Sequence, residues 1–289
     1  MKPPPFDYIV PGTLEEALDA ARQGGSEAKF LAGGQSLVPA MNFRIAQPAL
    51  LIDLNRIPDL EHIRRQTDGL HLGAMTRQRA LEFDPQVAEA APLLAEAVPF
   101  IAHPQIRNRG TVGGSLVHAD PAAELPVLAV ALGARLRARS TDGERWIAAD
   151  EFFQGMFTTA LAPQEMLVEI VIPPREDHSG SCFLEFSRRR GDYALMGLAA
   201  VVRLDPAGVC LGARLVYLNA GDGPLAAPQA AAMLVGARID SQTADAAAAF
   251  AAENELAPSG NLHASPSFQR HLARVLGRRA ILTAAQRAG

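Results

Sequence analysis

The stretch Ile106–Pro126, IRNRGTVGGSLVHADPAAELP, sets the interpretation of the whole chain. It contains two adjacent glycines between two hydroxyl residues, and no helical or strand period runs through it. Glycines let a backbone lie flush against a ligand, and successive N–H groups in such a turn form an anion-binding concavity. The apolar run that follows, Val127–Leu132, predicts a helix. We interpret the stretch as a loop that cradles phosphate, with an ordinary glycine turn as the alternative.

A second stretch of the same design lies upstream at Lys29–Leu37, KFLAGGQSL. A short apolar strand runs into two glycines and a hydroxyl, and a new apolar run follows. Two such loops can hold the two phosphates of a dinucleotide from opposite sides, mainly through backbone amides; two unrelated turns are the alternative. The expected cradle is Ala32, Gly33, Gly34, Gln35, Ser36 and Leu37 with Thr111, Val112, Gly113, Gly114 and Ser115.

The two motifs together resemble a known family. AGGQSL at Ala32–Leu37, with TVGGSLVHADPAAELP at Thr111–Pro126, is similar to the FAD-binding medium subunits of the molybdenum hydroxylases, which include carbon monoxide dehydrogenase and xanthine dehydrogenase. The resemblance extends over nearly the whole chain. It implies an α+β FAD-binding fold of the PCMH type, in which two α+β lobes clasp FAD, followed by a C-terminal domain of a three-stranded antiparallel sheet with helices.

The order of elements predicts three domains, at residues 1–55, 56–175 and 176–289. A capping box at Thr13 and Glu16 starts a helix in the first. Alternating strands and an Ala/Leu-rich helical stretch broken at prolines fill the second. The Pro/Gly-rich segment Pro173–Gly180 is the linker to the third, where three strands form a meander before alanine-rich helices.

The resemblance also implies roles for residues outside the glycine motifs. Asp120 and Glu124 would accept hydrogen bonds from ribose or ribityl hydroxyls; the alternative for Asp120 is a helix N-cap before Pro121. Tyr193 would lie against one face of the isoalloxazine and control access of an electron acceptor, and a core tyrosine is the alternative. Further cofactor contacts or plain core residues are Lys29, Ile101, Leu161 and Leu167. The roles of His103, Arg107, Arg109 and His118 stay open.

Composition excludes several other functions. A net charge of −4 over 289 residues argues against a nucleic-acid partner. The two cysteines, Cys182 and Cys210, are expected to be buried inert thiols, and they are too few for an iron–sulfur cluster, which needs about four thiolates. We expect no transmembrane segment and no secretory signal, hence a cytoplasmic location.

The resemblance therefore implies an electron-transfer subunit with non-covalent FAD. Its expected partners are a small subunit with [2Fe–2S] clusters and a large molybdopterin subunit, in a dimer of heterotrimers, and an external electron acceptor. A free-standing flavin-dependent reductase or oxidase on the same fold and a flavin-free assembly subunit are the alternatives. The substrate and the acceptor stay open, because the substrate pocket would belong to another chain.

Overall fold

The computed structural model describes residues 2–289, which form three main sheets in succession along the chain. The first sheet is parallel, with strand order β1-β3-β2. Because its strands are parallel, the loops that leave β2 and β3 lie at the same edge. Its elements are β1 (Asp7–Ile9), α1 (Leu14–Gly24), β2 (Ala28–Leu31), α2 (Leu37–Asn42) and β3 (Leu50–Asp53).

Helix α1 confirms the predicted capping box. The Thr13 hydroxyl accepts from the Glu16 amide, and the Glu16 carboxylate accepts from the Thr13 amide. The apolar face of α1, with Ala17 and Leu18 fully buried, packs on this sheet.

The second sheet is antiparallel, with strand order β4-β5-β10-β6-β7, and a hairpin of β8 and β9 stands beside it. Its strands are β4 (Ile63–Gln66), β5 (Gly69–Gly73), β6 (Arg135–Ser140), β7 (Gly143–Ala148), β8 (Phe153–Gly155), β9 (Thr158–Thr159) and β10 (Met166–Ile172). Its helices are α3 (Gln78–Phe83), α4 (Pro85–Ala90), α5 (Pro92–Ala97), α6 (Pro104–Arg107), α7 (Val112–His118), α8 (Glu124–Ala131) and α9 (Ala149–Phe152). The helical stretch before the second glycine motif is interrupted at Pro92, as its sequence predicts.

The interpretation of Ile106–Pro126 as irregular chain is wrong in part. Helix α7 begins inside the motif, at Val112, and carries both glycines in its first turn. The helix predicted over Val127–Leu132 is present as α8, which is buried along its whole length. Its sequence lacks an amphipathic period because it is covered on all sides.

The third sheet contains the three predicted antiparallel strands: β11 (Ser179–Ser187), β12 (Ala194–Leu204) and β13 (Cys210–Leu218). The structure adds a fourth, very short strand, β14 (Leu225–Ala226), at the edge beside β13. The helices are α10 (Pro228–Ala232), α11 (Ser241–Phe250), which continues as a π-turn over Ala251–Glu255, and α12 (Pro266–Ala288). Helix α12 packs on β11 and β12, while α8 packs on β12 and β13, so the third sheet is joined to a helix that lies between β5 and β6 in the chain.

Both cysteines are buried and unpaired within residues 2–289, which confirms that they are buried free thiols. Desolvation, and then the neighbouring Glu96 charge, raises the pKa of Cys182 to about 11. Across the same residues, no helix combines the length and the apolar character that crossing a bilayer requires.

Candidate functional site

The first glycine loop presents a row of unused backbone donors. Within residues 2–289, no protein acceptor pairs with the amides of Gly33, Gly34, Gln35, Ser36 and Leu37. Gly34 has a φ of 72°, a conformation that favours glycine, and the Gln35 side-chain amide folds back to donate to the Gly33 carbonyl at 3.0 Å. Successive N–H groups that are free of protein acceptors suit an anionic ligand, because they can all donate to it.

The two glycine loops touch each other. A Cβ atom on Gly33 would lie 2.3 Å from the Arg109 carbonyl oxygen and 2.8 Å from the Gly110 Cα. A Cβ atom on Gly114 would lie 3.6 Å from the Ala32 Cβ. The structure therefore brings together the two motifs that the sequence analysis paired, and Gly33 is required for their close approach.

The amides of the second loop differ from those of the first. From Val112 to Ser115 all four donate to protein oxygens, and cofactor contact at these positions stays a prediction. The acceptors are the carbonyls of Thr76, Ala74 and Thr111 and the Thr111 hydroxyl, at 2.8–3.2 Å. Gly113 is a glycine because its Cβ would lie 2.8 Å from the Ala74 carbonyl oxygen. Two side chains of this loop can bind a ligand. Ser115 is half-buried, and the buried Thr111 hydroxyl, which accepts from the Gly114 amide, can still donate its own hydrogen.

Asp120 lies in the turn between α7 and α8, and Glu124 is the first residue of α8. One Asp120 oxygen accepts from the Ala122 amide at 2.9 Å, which is an Asx turn and not an N-cap, because α8 begins only at Glu124. Glu124 is 8% exposed. Desolvation, and then the Asp120 charge, raises the pKa of Glu124 to about 7. The Asn219 amide donates to the Pro121 carbonyl at 2.7 Å and ties the third sheet to this turn.

Tyr193 follows the tight turn between β11 and β12, and its side chain is exposed. Partial desolvation, and after it the charges of Asp120 and Glu124, raises the pKa of the Tyr193 phenol, so the three side chains share one region. The turn packs against Ala102 and His103, since a Cβ on Gly191 would lie 2.3 Å from the His103 ring and 2.7 Å from the Ala102 oxygen.

The other predicted contacts divide between surface and core. Lys29 is exposed on β2, beside the first loop. Ile101 and Leu167 lie in the core, at 8% and 4% exposure, and Leu161 packs against the same core from a half-buried position. Cofactor contact at these four positions stays a prediction.

The structure shows the contacts of two residues whose roles the sequence leaves open. Arg107 is buried, donates to Glu82 at 3.1 Å and to the Ile101 carbonyl at 2.7 Å, and therefore supports the turn that precedes it. His118 packs its ring 5.0 Å from that of Phe157, and burial lowers its pKa even though the Asp120 charge opposes this.

Sequence reasoning missed three residues at this site. Asn55 and Arg77 join the two glycine loops, and Glu185 of β11 lies near Glu124. For Asn55 a signal existed: it follows the strand next to β2, and in a parallel sheet both strand ends meet at one edge. No local motif marks Arg77 or Glu185.

Comparison with known proteins agrees with this geometry. The model of the FAD binding domain in molybdopterin dehydrogenase matches residues 4–175, and that of the CO dehydrogenase flavoprotein C-terminal domain matches residues 181–284. This chain belongs to the molybdopterin dehydrogenase FAD-binding family.

Relatives of this FAD-binding chain match along its whole length. The 6-hydroxypseudooxynicotine dehydrogenase complex subunit alpha of Paenarthrobacter nicotinovorans is 44% identical over 100% of this chain and 97% of its own. Carbon monoxide dehydrogenase from Hydrogenophaga pseudoflava superposes with a TM-score of 0.96, at 37% identity and 100% coverage of both chains. Quinoline 2-oxidoreductase from Pseudomonas putida 86 superposes with a TM-score of 0.95, at 38% identity, over 100% of this chain and 99% of its own. These full-length matches confirm the expected fold.

The residues present fit FAD. The unused amides of the first loop suit a diphosphate, and a Cβ on Gly33 would overlap the backbone of the second loop where the two loops meet. The Asp120 oxygen outside the Asx turn can accept from hydroxyl groups. One carboxyl oxygen of Glu185 is buried without a hydrogen-bond partner among the described residues, as expected of a polar site that faces a further polar group.

The Glu124–Glu185 region predicts a pH-dependent stability. Desolvation, and then the Glu124 charge, raises the pKa of Glu185 to about 8. Since both carboxyls hold protons in the folded chain that the unfolded chain releases, the free energy of unfolding falls as pH rises from about 4.5 to 8. We expect Glu185→Gln to gain about 2 kcal/mol over wild type at pH 8.5 and little at pH 5.

Thermal unfolding of the FAD-free chain at the two pH values measures this difference. Glu151→Gln, at an exposed position on α9, is the matched control and should follow wild type at both. A Glu185→Gln variant whose advantage does not grow with pH would contradict the assignment.

Proposed function

We propose that this chain is the FAD-carrying electron-transfer subunit of a heteromeric molybdenum-containing hydroxylase. It would pass electrons from the [2Fe–2S] clusters of a small subunit to an external acceptor, while a large molybdopterin subunit hydroxylates the substrate. The names of its relatives, such as "complex subunit alpha" and "medium chain", support an assembly of several chains. A dimer of heterotrimers and a cytoplasmic location are parts of the same proposal.

The observation that carries this proposal is the row of unused amides at the junction of the two loops. Five consecutive backbone donors, Gly33 to Leu37, have no protein acceptor within residues 2–289, in a segment that is mostly half-buried. A diphosphate would satisfy several of them at once. Membership of the FAD-binding family identifies the dinucleotide that brings it.

The chain's own residues bind and orient, and they need not perform acid–base chemistry on a substrate. Bound FAD supplies the redox chemistry through its isoalloxazine. The first loop would hold the diphosphate, and the Ser115 and Thr111 hydroxyls would add donors from the second loop. Asp120 and Glu124 would accept from sugar or ribityl hydroxyls. Tyr193, exposed at its turn, would limit how an acceptor approaches the ring.

The number of cysteines indicates that the iron–sulfur clusters would belong to a partner chain. Two buried thiols, Cys182 and Cys210, cannot ligate a cluster that needs about four, so iron would reside on a partner. The compound oxidised is then selected on the molybdopterin chain, and nitrogen heterocycles, purines, aldehydes and CO are all compatible with this one.

A visible absorption spectrum of the complex purified from its host tests the proposal. We expect flavin bands over a broad iron–sulfur absorbance, and flavin that stays in the supernatant after acid precipitation of the protein. Two further chains, with iron and molybdenum, should copurify. A colourless chain that also refuses added FAD would overturn the proposal, and a flavoprotein that purifies alone would favour the free-standing reductase.

A further inference from the structure

Two polar side chains bridge the glycine loops at their point of contact. The Asn55 side-chain amide donates to the Ala32 carbonyl at 3.0 Å. One Arg77 nitrogen donates to the Arg109 carbonyl at 2.5 Å, and another donates to the Asn55 side-chain oxygen at 2.6 Å. A continuous set of hydrogen bonds thus runs from the first loop to the second through Asn55 and Arg77.

The sheet holds the Asn55 end of this bridge in place. The Asn55 backbone amide donates to the Asp53 carboxylate at 2.9 Å, and the Asn55 side chain donates to the same oxygen. Asp53 ends β3 and also accepts from the Tyr8 hydroxyl on β1. Hydrogen bonding to these groups lowers the pKa of Asp53 despite partial desolvation, so it stays ionised. The bridge therefore begins at a fixed point of the first sheet.

At the Arg77 end, no acidic side chain in the described part of the chain neutralises the positive charge. Within residues 2–289, Arg77 forms no salt bridge, whereas its neighbour Arg79 pairs with Glu82 at 2.7 Å. Among the described residues, the guanidinium donates to the oxygens of Arg109 and Asn55 and to no others. The Arg109 carbonyl is also the group that Gly33 approaches, which places this charge at the loop junction, next to the unused amides.

We propose that Asn55 and Arg77 form a polar clamp that sets the spacing of the two glycine loops, with the Arg77 charge favouring the diphosphate of FAD. The proposal rests on the proposed function, because it assumes that FAD binds between these loops. Both are positioning residues: Asn55 acts on the first loop through the Ala32 carbonyl, and Arg77 acts on the second through the Arg109 carbonyl.

A set of variants of the full chain separates spacing from charge. FAD is removed from the purified protein, and the dissociation constants for FAD and for ADP are measured by titration. We expect Arg77→Met to weaken FAD binding by about thirtyfold, because a charged hydrogen-bond donor is lost. Arg77→Lys should recover part of this loss, since it keeps the charge but not the fork of two donors. ADP should lose affinity in parallel with FAD.

Asn55→Ala should weaken FAD binding by about tenfold, and adding it to Arg77→Met should cost little more, because the two residues act as one unit. Arg56→Met is the matched control: it removes an exposed arginine beside Asn55 that makes no hydrogen bond within residues 2–289, and it should bind FAD like wild type. If the Arg77 charge attracts FAD, the affinity of Arg77→Met for FAD should depend less on salt concentration than that of wild type. If Arg77 is purely structural, the salt dependence should be unchanged.

The outcomes are distinct. If the wild-type chain binds no FAD, the proposed function fails. If wild type binds FAD and both Arg77→Met and Asn55→Ala bind it equally well, the clamp is overturned while the proposed function stands. Strictly additive losses in the double variant would also overturn it, because they would show two independent contacts. Unfolding of each FAD-free variant, followed by circular dichroism, identifies any loss caused by misfolding.

Discussion

Gly33→Ala is expected to lower the affinity for FAD by at least ~100-fold, about 2.7 kcal/mol. The added Cβ would lie 2.3 Å from the Arg109 carbonyl oxygen, and backbone on both sides leaves no flexible side chain to move away. The two glycine loops must therefore separate. Their separation would misplace the unused amides of Gly33 to Leu37 relative to the second loop, and the chain itself should lose about 1–3 kcal/mol of stability.

The flavin-to-protein ratio of the purified complex and the titration of its FAD-free form measure this effect. Gly12→Ala is the control, because a Cβ there meets only the Glu16 carboxylate at an ordinary 3.6 Å. That variant should retain wild-type flavin. Gly33→Ala with full flavin content and unchanged affinity would show that the loop junction does not form the binding site.

Local sequence patterns were sufficient to predict the structural elements that are determined by residues close together in the chain. The capping box at Thr13, the helix breaks at prolines and the three-stranded meander are set within a few positions, so their residue types identify them. Resemblance supplied the fold that connects them.

The second glycine motif shows where such reasoning stops. Its glycines indicated a ligand, yet Gly113 is a glycine because Ala74, on another segment, approaches it from within the protein. The amide of Val112 is likewise used by Thr76. Only the folded chain shows which glycines face a ligand and which face a neighbouring segment of the protein.

Arginine roles were unpredictable for a related reason. The sequence offers many arginines and almost no lysines, and the side chain alone does not say which arginine is buried. Arg107 and Arg109 stand two positions apart, but Arg107 is 4% exposed while Arg109 is exposed and contributes its carbonyl to the loop junction. The difference comes from Glu82 on α3, which lies across from Arg107.

Arg107→Leu is expected to destabilise the chain by about 3 kcal/mol, because it leaves buried polar groups without their partner. The guanidinium donates to both carboxylate oxygens of Glu82, at 3.1 and 3.5 Å, and to the carbonyls of Ile101 and Ala102, at 2.7 and 3.4 Å. Ala102 has a φ of 40°, so the turn that Arg107 holds is in a conformation that non-glycine residues avoid.

The same turn supports the segment that carries Tyr193, through the contact of Gly191 with Ala102 and His103. Loss of Arg107 should therefore loosen that segment as well as lower the free energy of unfolding. The exposed arginines Arg188, Arg189 and Arg190 lie in it and provide trypsin sites. We expect cleavage there to become several times faster in Arg107→Leu than in wild type, before global unfolding.

Denaturant unfolding and limited trypsin digestion of the purified protein measure the two effects. In the double variant Arg107→Leu/Glu82→Leu, stability should recover in part, since removing both partners of a buried pair is far less harmful than removing one. Arg107→Lys keeps the charge but cannot reach Glu82 and both carbonyls together, so it should fall between wild type and Arg107→Leu. An Arg107→Leu variant with wild-type stability and wild-type cleavage would show that the turn holds without its guanidinium, and that Tyr193 is positioned by the third sheet alone.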